Sequence, residues 1–402
     1  MMLARLRLGW VPVLLCLTGF VHAGAALNDE QDDVDESQLL TGTLGDRPVV
    51  MSLSQDEGDE VYGRYFALAD RRDVALEGTL KGTTLTLREG PESRTGRPLI
   101  TLKATDEGWE GSWRDRQGTT RALRLITSAP PPAAGDDAWW QRLRERHPYD
   151  YLRMHDVALV ADETQSFMGY SLQWLRDPIS GLRMFQVVSG YPAERQAQIN
   201  SLLRARLYNE VISYHECLVS DRFEGGEFEQ QVEPKLLTAS LLSADIFTSY
   251  DCGGAHPDFG SSPINLDVTR LRTLGLEDLL WIGSGKPFHF VDVDSRGERI
   301  DSGVSFDTFS DYRIRVFAPW LVATLSAAWP QEMDAPQEES ECDYRSAAIW
   351  QFPCWYLTPQ GIWFGPAFPR VLRACEGPSW SVVPWNIVRQ HPGGLSLDLP
   401  TD

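Results

Sequence analysis

Between Leu39 and Ile126 the chain runs as short alternating apolar and polar stretches broken by turns every ten residues or so, and this constrains the fold most. Examples are Val49-Val50-Met51-Ser52-Leu53, Val61-Tyr62-Gly63-Arg64-Tyr65-Phe66, Thr84-Leu85-Thr86-Leu87, Leu99-Ile100-Thr101-Leu102 and Trp109-Glu110-Gly111-Ser112-Trp113. Turn-rich stretches such as Gln55-Asp56-Glu57-Gly58 and Arg88-Glu89-Gly90-Pro91 separate them. A period of two puts alternate side chains on opposite faces of a strand, so the pattern predicts an antiparallel meander or barrel, a small all-β domain over 39–127.

Three successive prolines then interrupt the pattern in Ser128-Ala129-Pro130-Pro131-Pro132-Ala133-Ala134-Gly135. Prolines flanked by small residues make a stiff spacer, which places a linker at 128–137. Beyond it, 138–402 mixes helix and strand periods and reads as an α+β domain with helices packed on antiparallel sheet. Ile199, Leu203, Leu207, Val211 and Tyr214 line one face of a helix between Ala193 and Cys217. Leu236 to Tyr250 is rich in β-formers, and Ile264 to Val268 alternates as a further strand. Tyr312 to Trp329 reads as a second helix, with Ile314, Phe317, Leu321 and Leu325 on one side. Trp355 to Phe364 reads as a hairpin turning at Pro359 and Gly361.

The first residues predict export. Arg5 and Arg7 precede an apolar run from Val11 to Val21, and small residues permit cleavage after Ala23 or Ala25. A signal peptide over 1–25 is therefore expected, followed by a disordered acidic leader over 26–38. The expected location is periplasmic or secreted. No later stretch is long and uncharged enough to predict stable membrane insertion. Of six cysteines, Cys16 lies inside the apolar run, which leaves Cys217, Cys252, Cys342, Cys354 and Cys375. In an oxidising compartment these predict bridges, namely Cys217–Cys252 and one bridge within the group Cys342, Cys354 and Cys375. Cys354 and Cys375 are taken as that second pair's members, with the connectivity left open. No CxxC occurs, so neither a zinc site nor redox chemistry of that type is expected. The formal net charge of −20 argues against nucleic acid and suits a basic partner, whose encounter it would accelerate.

Tyr250-Asp251-Cys252-Gly253-Gly254-Ala255-His256-Pro257-Asp258 is the sharpest local feature. Adjacent glycines permit a tight turn, and Pro257 keeps His256 out of helical geometry. The chemical reading makes His256 a general base oriented by Asp251 or Asp258. The stronger reading has His256 holding the loop, with Gly253, Gly254 and His256 forming a binding feature. Trp355 and Trp363 belong to an aromatic-rich C-terminal segment that could stack on a sugar chain or anchor an interface, although such residues are more often core. Asp292 and Asp294 lack the downstream Glu of a calcium loop. No G-x-S-x-G, phosphate loop or dinucleotide fingerprint occurs, and neither a metal nor a cofactor is expected.

Tyr250 to Pro257, Asn265-Leu266-Asp267 and Leu274-Gly275-Leu276-Glu277-Asp278-Leu279 together resemble the extracytoplasmic RsiV-like domain, a domain of unknown function numbered 3298. Ser189-Gly190-Tyr191-Pro192 with Ile199-Asn200, Phe352 to Phe364, and Trp380 to Trp385 agree with it. The resemblance covers about Gln186 to Gln390, and GGAH is its one sharp motif. The added cysteines and the hairpin's ending in Gly365-Pro366 depart from the pattern. The resemblance implies an α+β fold used for binding; in the namesake anti-sigma factor the domain captures lysozyme outside the membrane. Related domains accompany polysaccharide deacetylase modules. It thus implies a binding or inhibitory module for a secreted protein, a basic muramidase in the sharpest version, or for peptidoglycan glycan. The alternative is an envelope hydrolase or deacetylase-associated enzyme using His256.

Overall fold

The computed structural model describes residues 37–55, 58–90, 95–133, 137–220, 226–254, 256–334, 336 and 342–400. The expected signal peptide and nearly all of the acidic leader lie outside the described residues.

Eight strands follow the alternating stretches: β1 (Gln38–Leu44), β2 (Arg47–Gln55), β3 (Glu60–Ala67), β4 (Val74–Lys81), β5 (Thr84–Glu89), β6 (Leu99–Ala104), β7 (Gly108–Arg114) and β8 (Thr120–Thr127). Each pairs antiparallel with its sequence neighbour, and β8 closes on β1 with Leu40 opposite Thr127. Leu40, Met51, Leu85, Leu87, Ile100, Leu102 and Leu125 fill the interior, each at most 1% exposed. Eight strands leave an interior that side chains alone can pack. Filling it with apolar residues is the reverse of a membrane-spanning barrel, which turns its apolar band outward.

Three outward residues, Leu39, Val50 and Phe66, join a different core. They pack with Trp139 and Leu143 of α1 (Ala138–Arg146) and with Tyr149 and Leu152 of α2 (Pro148–Met154). The proline spacer is bonded into this joint: Arg144 Nε donates to Pro131 O at 2.8 Å, and Tyr151 Oη to Pro132 O at 3.2 Å. Charge reinforces the seating. Arg64 of β3 reaches Asp150 at 3.2 Å, while Arg153 of α2 reaches Asp73 at 2.6 Å and Asp150 at 3.3 Å.

The second half adds three small antiparallel sheets. The first orders β9 (Val160–Phe167), β10 (Tyr170–Arg176) and β11 (Arg183–Ser189) with β10 central. Gly190 follows at φ +114°, where a Cβ would lie 2.2 Å from the Tyr170 ring, so no larger residue fits. α3 (Ala193–Ser220) runs slightly past the predicted Cys217. Its Asn200 accepts from Val187 N and donates to Val187 O, taking the place of a neighbouring strand along β11.

The second sheet contains the hairpin β12 (Glu227–Leu237) and β13 (Leu241–Asp251), with β14 (Asp258–Ser261), β15 (Ile264–Asp267) and β16 (Arg272–Thr273). After α4 (Leu276–Leu279), the helix predicted at Tyr312–Trp329 forms in three parts: α5 (Phe306–Tyr312), a π turn (Arg313–Phe317) and α6 (Ala318–Ala328). The wider π turn rotates the helix phase. Arg313 and Phe317 become buried and Ile314 is 42% exposed, so Ile314 leaves the buried stripe assigned to it. The third sheet joins β17 (Cys354–Leu357), β18 (Gly361–Gly365) and β19 (Val382–Pro384), and α7 (Trp385–Val388) follows.

Disulfides join Cys217 to Cys252 and Cys342 to Cys375. The assignment of Cys354 to a bridge is corrected: its thiol is free and faces Ser261 O at 3.6 Å, against β14. Pairing within the hairpin turns Cys354 toward the second sheet, away from Cys375. Burial, with Asp245 nearby, pushes the thiol well above its usual range, so it is a poor nucleophile.

Candidate functional site

The GGAH turn connects β13 to β14. Asp251 Oδ1 accepts from Gly253 N at 3.2 Å, which turns the chain, and Gly253 adopts φ +75°. Gly254, His256 and Pro257 are exposed, and Asp258 resumes pairing opposite Tyr250. Both ends are clamped. On one side Cys252 is bonded to Cys217 of α3. On the other, Arg373 forms an ion pair with Asp258, donates to Phe259 O at 2.5 Å and lies 4.7 Å over the Phe259 ring. Arg370 donates to Pro257 O at 2.8 Å. Both arginines stand on the short 3₁₀ helix Arg370–Cys375, itself held by Cys342.

This geometry assigns both candidate carboxylates to the loop. Asp258 neutralises Arg373, and Asp251 accepts a backbone amide. His256 stands out from the surface. The groove of about 560 Å³ lies elsewhere, on the barrel wall between Val49, Leu68, Ile126 and Leu152.

Trp355 and Trp363 do not share a platform. In the β17–β18 register Trp355 faces Phe364, and Tyr356 faces Trp363. Adjacent residues of a strand point to opposite faces, so the two tryptophans lie on opposite sides of the hairpin. Trp355 packs against the core around Trp350 and Phe364. Trp363 is 7% exposed, donates to Pro378 O at 2.6 Å and stacks on Tyr356 at 4.4 Å.

The outward face of the second sheet carries features that the sequence reading passed over. Glu227, Glu229, Gln231 and Glu233 of β12 are exposed at every second position. On β13, the exposed Phe247 and Ser249 alternate with the buried Ile246 and Thr248, while Asp245, Tyr250 and Asp251 are half-buried. The register sets Glu227 opposite Asp251 and Glu233 opposite Asp245. Like charges directly opposite one another cost stability, and at the second pair Lys235 offsets this by ion-pairing with Glu233 at 2.7 Å. Burial raises the Asp245 carboxyl; Lys235 opposes this rise, and Glu233 adds to it. Phe247 and Phe259 approach within 5.8 Å on the same face, and Lys235 lies 4.7 Å over the Tyr356 ring. The alternation of Glu along β12 was a readable signal. The pairing across strands was not, because register is a tertiary property.

The remaining motif residues hold the fold. Asn265 accepts from Ser243 Oγ at 2.7 Å and donates to Trp355 O at 3.0 Å. Asp267 caps the turn after β15 through the Thr269 and Arg270 amides. Asp278 accepts from Gly275 N at 2.8 Å and binds His289 Nδ1 at 2.7 Å and Arg272 at 3.1 Å. Asp294 is occupied by the amides of Arg296 and Glu298. Among the described residues, no group of three or more His, Cys, Asp or Glu is placed to hold a metal ion.

No family model matches the sequence, and no curated protein matches it. Among solved structures the chain is similar to a member of the DUF3298 family from Bacteroides fragilis, at 16% identity and a TM-score of 0.33, over 59% of this chain and 92% of that one.

Proposed function

We propose that the protein is an exported binding or inhibitory module whose partner is a basic secreted protein, a lysozyme-type muramidase in the sharpest version. The like-charge cross-strand pair Glu227/Asp251 carries this reading. It disfavours the free protein and would be relieved by a cationic surface laid across the sheet. The clamped turn at Gly253, Gly254 and His256 borders this face, and Phe247 and Phe259 supply apolar contact area within it. Two disulfides and the leader sequence support an oxidising compartment, periplasmic or extracellular.

The hydrolase alternative gains no support, because Asp251 and Asp258 are engaged away from His256. The test mixes mature protein with a basic lysozyme at low and moderate salt, beside a Glu227→Gln variant. Binding that weakens with salt, and weakens further in the variant while its stability rises by a few tenths of a kcal/mol, is the expected result. Absence of both binding and inhibition at low salt removes the muramidase reading.

A further inference from the structure

Phe247 sits near the middle of the outward face of the second sheet, and the strand register fixes what surrounds it. Gln231 of β12 lies directly opposite, with Glu229 and Glu233 diagonal to it. Diagonal neighbours on one face stay within reach of long side chains. On its other side Phe247 faces Ser261 of β14, and Ser249 faces Phe259. Phe247 is 38% exposed, Phe259 is half-buried, and Glu229 and Gln231 are exposed. Asp245, two residues earlier on the same face of β13, is half-buried, and its Oδ1 has no hydrogen-bond donor among the described residues. An apolar ring is thus held at the surface between carboxylates.

Two cations of the chain already use rings of this kind beside it. Arg373 lies 4.7 Å over Phe259 and ion-pairs with Asp258 and, at 3.1 Å, with Glu376. Lys235 lies 4.7 Å over Tyr356 and reaches Glu233 at 2.7 Å. Each combines an aromatic face with a carboxylate, and each is filled from within. Phe247 with Glu229 repeats the combination, and among the described residues no arginine or lysine lies over the Phe247 ring. Glu233 is taken by Lys235, which leaves Glu229 as the carboxylate open to an incoming charge.

We infer that Phe247 is the seat for one arginine side chain of the partner, its guanidinium stacked on the ring and its N–H groups turned to Glu229. The seat rests on the reading of this face as the docking surface for a basic secreted protein, and it names the side chain that the face selects. A guanidinium is planar, weakly hydrated and forked, so it can lie on a ring and bond a carboxylate at once. An ammonium is a strongly hydrated point charge and gives up more on leaving water. The seat therefore prefers arginine to lysine at equal charge, which a merely acidic surface does not.

Tetra-arginine and tetra-lysine peptides, titrated into the mature protein at moderate salt, separate the seat from plain charge attraction. The readout is the ring-proton NMR signals of Phe247, assigned by their loss in Phe247→Leu. Tetra-arginine should shift these signals and bind about threefold more tightly than tetra-lysine. The preference should vanish in Phe247→Leu and persist in Phe247→Trp, whose ring is the better partner for a cation. Equal affinity for the two peptides, or a preference unchanged in Phe247→Leu, overturns the seat. Lysozyme binding at low salt is measured alongside. Its absence removes the muramidase reading without touching an arginine preference lodged at Phe247, and its presence leaves that reading standing where the preference fails.

Discussion

The barrel and the second half reach stability by opposite routes. Every barrel strand pairs with its sequence neighbour, apart from the closing β1–β8 contact, and a single interior is packed with aliphatic residues. The second half divides its strands among three sheets joined by bonds between residues far apart in sequence. Asn265 bonds Trp355, Ser243 Oγ accepts from Leu357 N, and Arg373 grips Asp258. Closing such long loops costs chain entropy before any contact repays it. The two disulfides span 35 and 33 residues and lie in this half. Local pairing can dispense with covalent clamps, and long-range pairing makes use of them.

The largest effect is expected at the seam between the halves. Arg153→Ala leaves Asp73 and Asp150 buried beside each other and should cost about 4 kcal/mol in denaturant unfolding. It should also separate the unfolding of the barrel from that of the second half; coincident transitions would show that the joint does not depend on this charge. Next, Cys217→Ser with Cys252→Ser should destabilise the second half by roughly 3–4 kcal/mol, on the loop-entropy view, and leave the barrel transition in place. An equal loss in both halves would break the contrast. Arg373→Ala removes a charge-assisted pair and a backbone bond, an effect of about 2 kcal/mol that should appear as faster amide exchange at Gly253 and Gly254. Smallest is His256→Ala. Thermal unfolding should change by less than about 0.5 kcal/mol, because the side chain is exposed. If the proposed binding face includes this turn, binding to a basic lysozyme should weaken in the variant, and unchanged binding would take the turn out of that face.

The difference between the halves also governs what could be read in advance. In the barrel, turn residues and a period of two mark the strands, and only the β1–β8 pairing decides that the meander closes. In the second half, element types were legible and their relations were not. Ile314 fits a helical stripe by counting, yet one π turn moves it to the surface. Trp355 and Trp363 look alike in composition, and the hairpin register sends them to opposite faces. Cys342, Cys354 and Cys375 are equivalent in the sequence, and the direction of one β17 side chain decides which stays free. Arg373 carried no signal at all, because its partner Asp258 lies 115 residues away.

Alternation, turn residues and composition by themselves determine an antiparallel all-β first part, an α+β continuation and a strongly acidic chain, since each depends on neighbours along the backbone. Tertiary structure alone decides which carboxylates face one another on the outer sheet, which cysteine remains a thiol, and how His256 is presented. Those outcomes depend on strand register and on packing across the seam, where a shift of one residue exchanges the two faces of a strand.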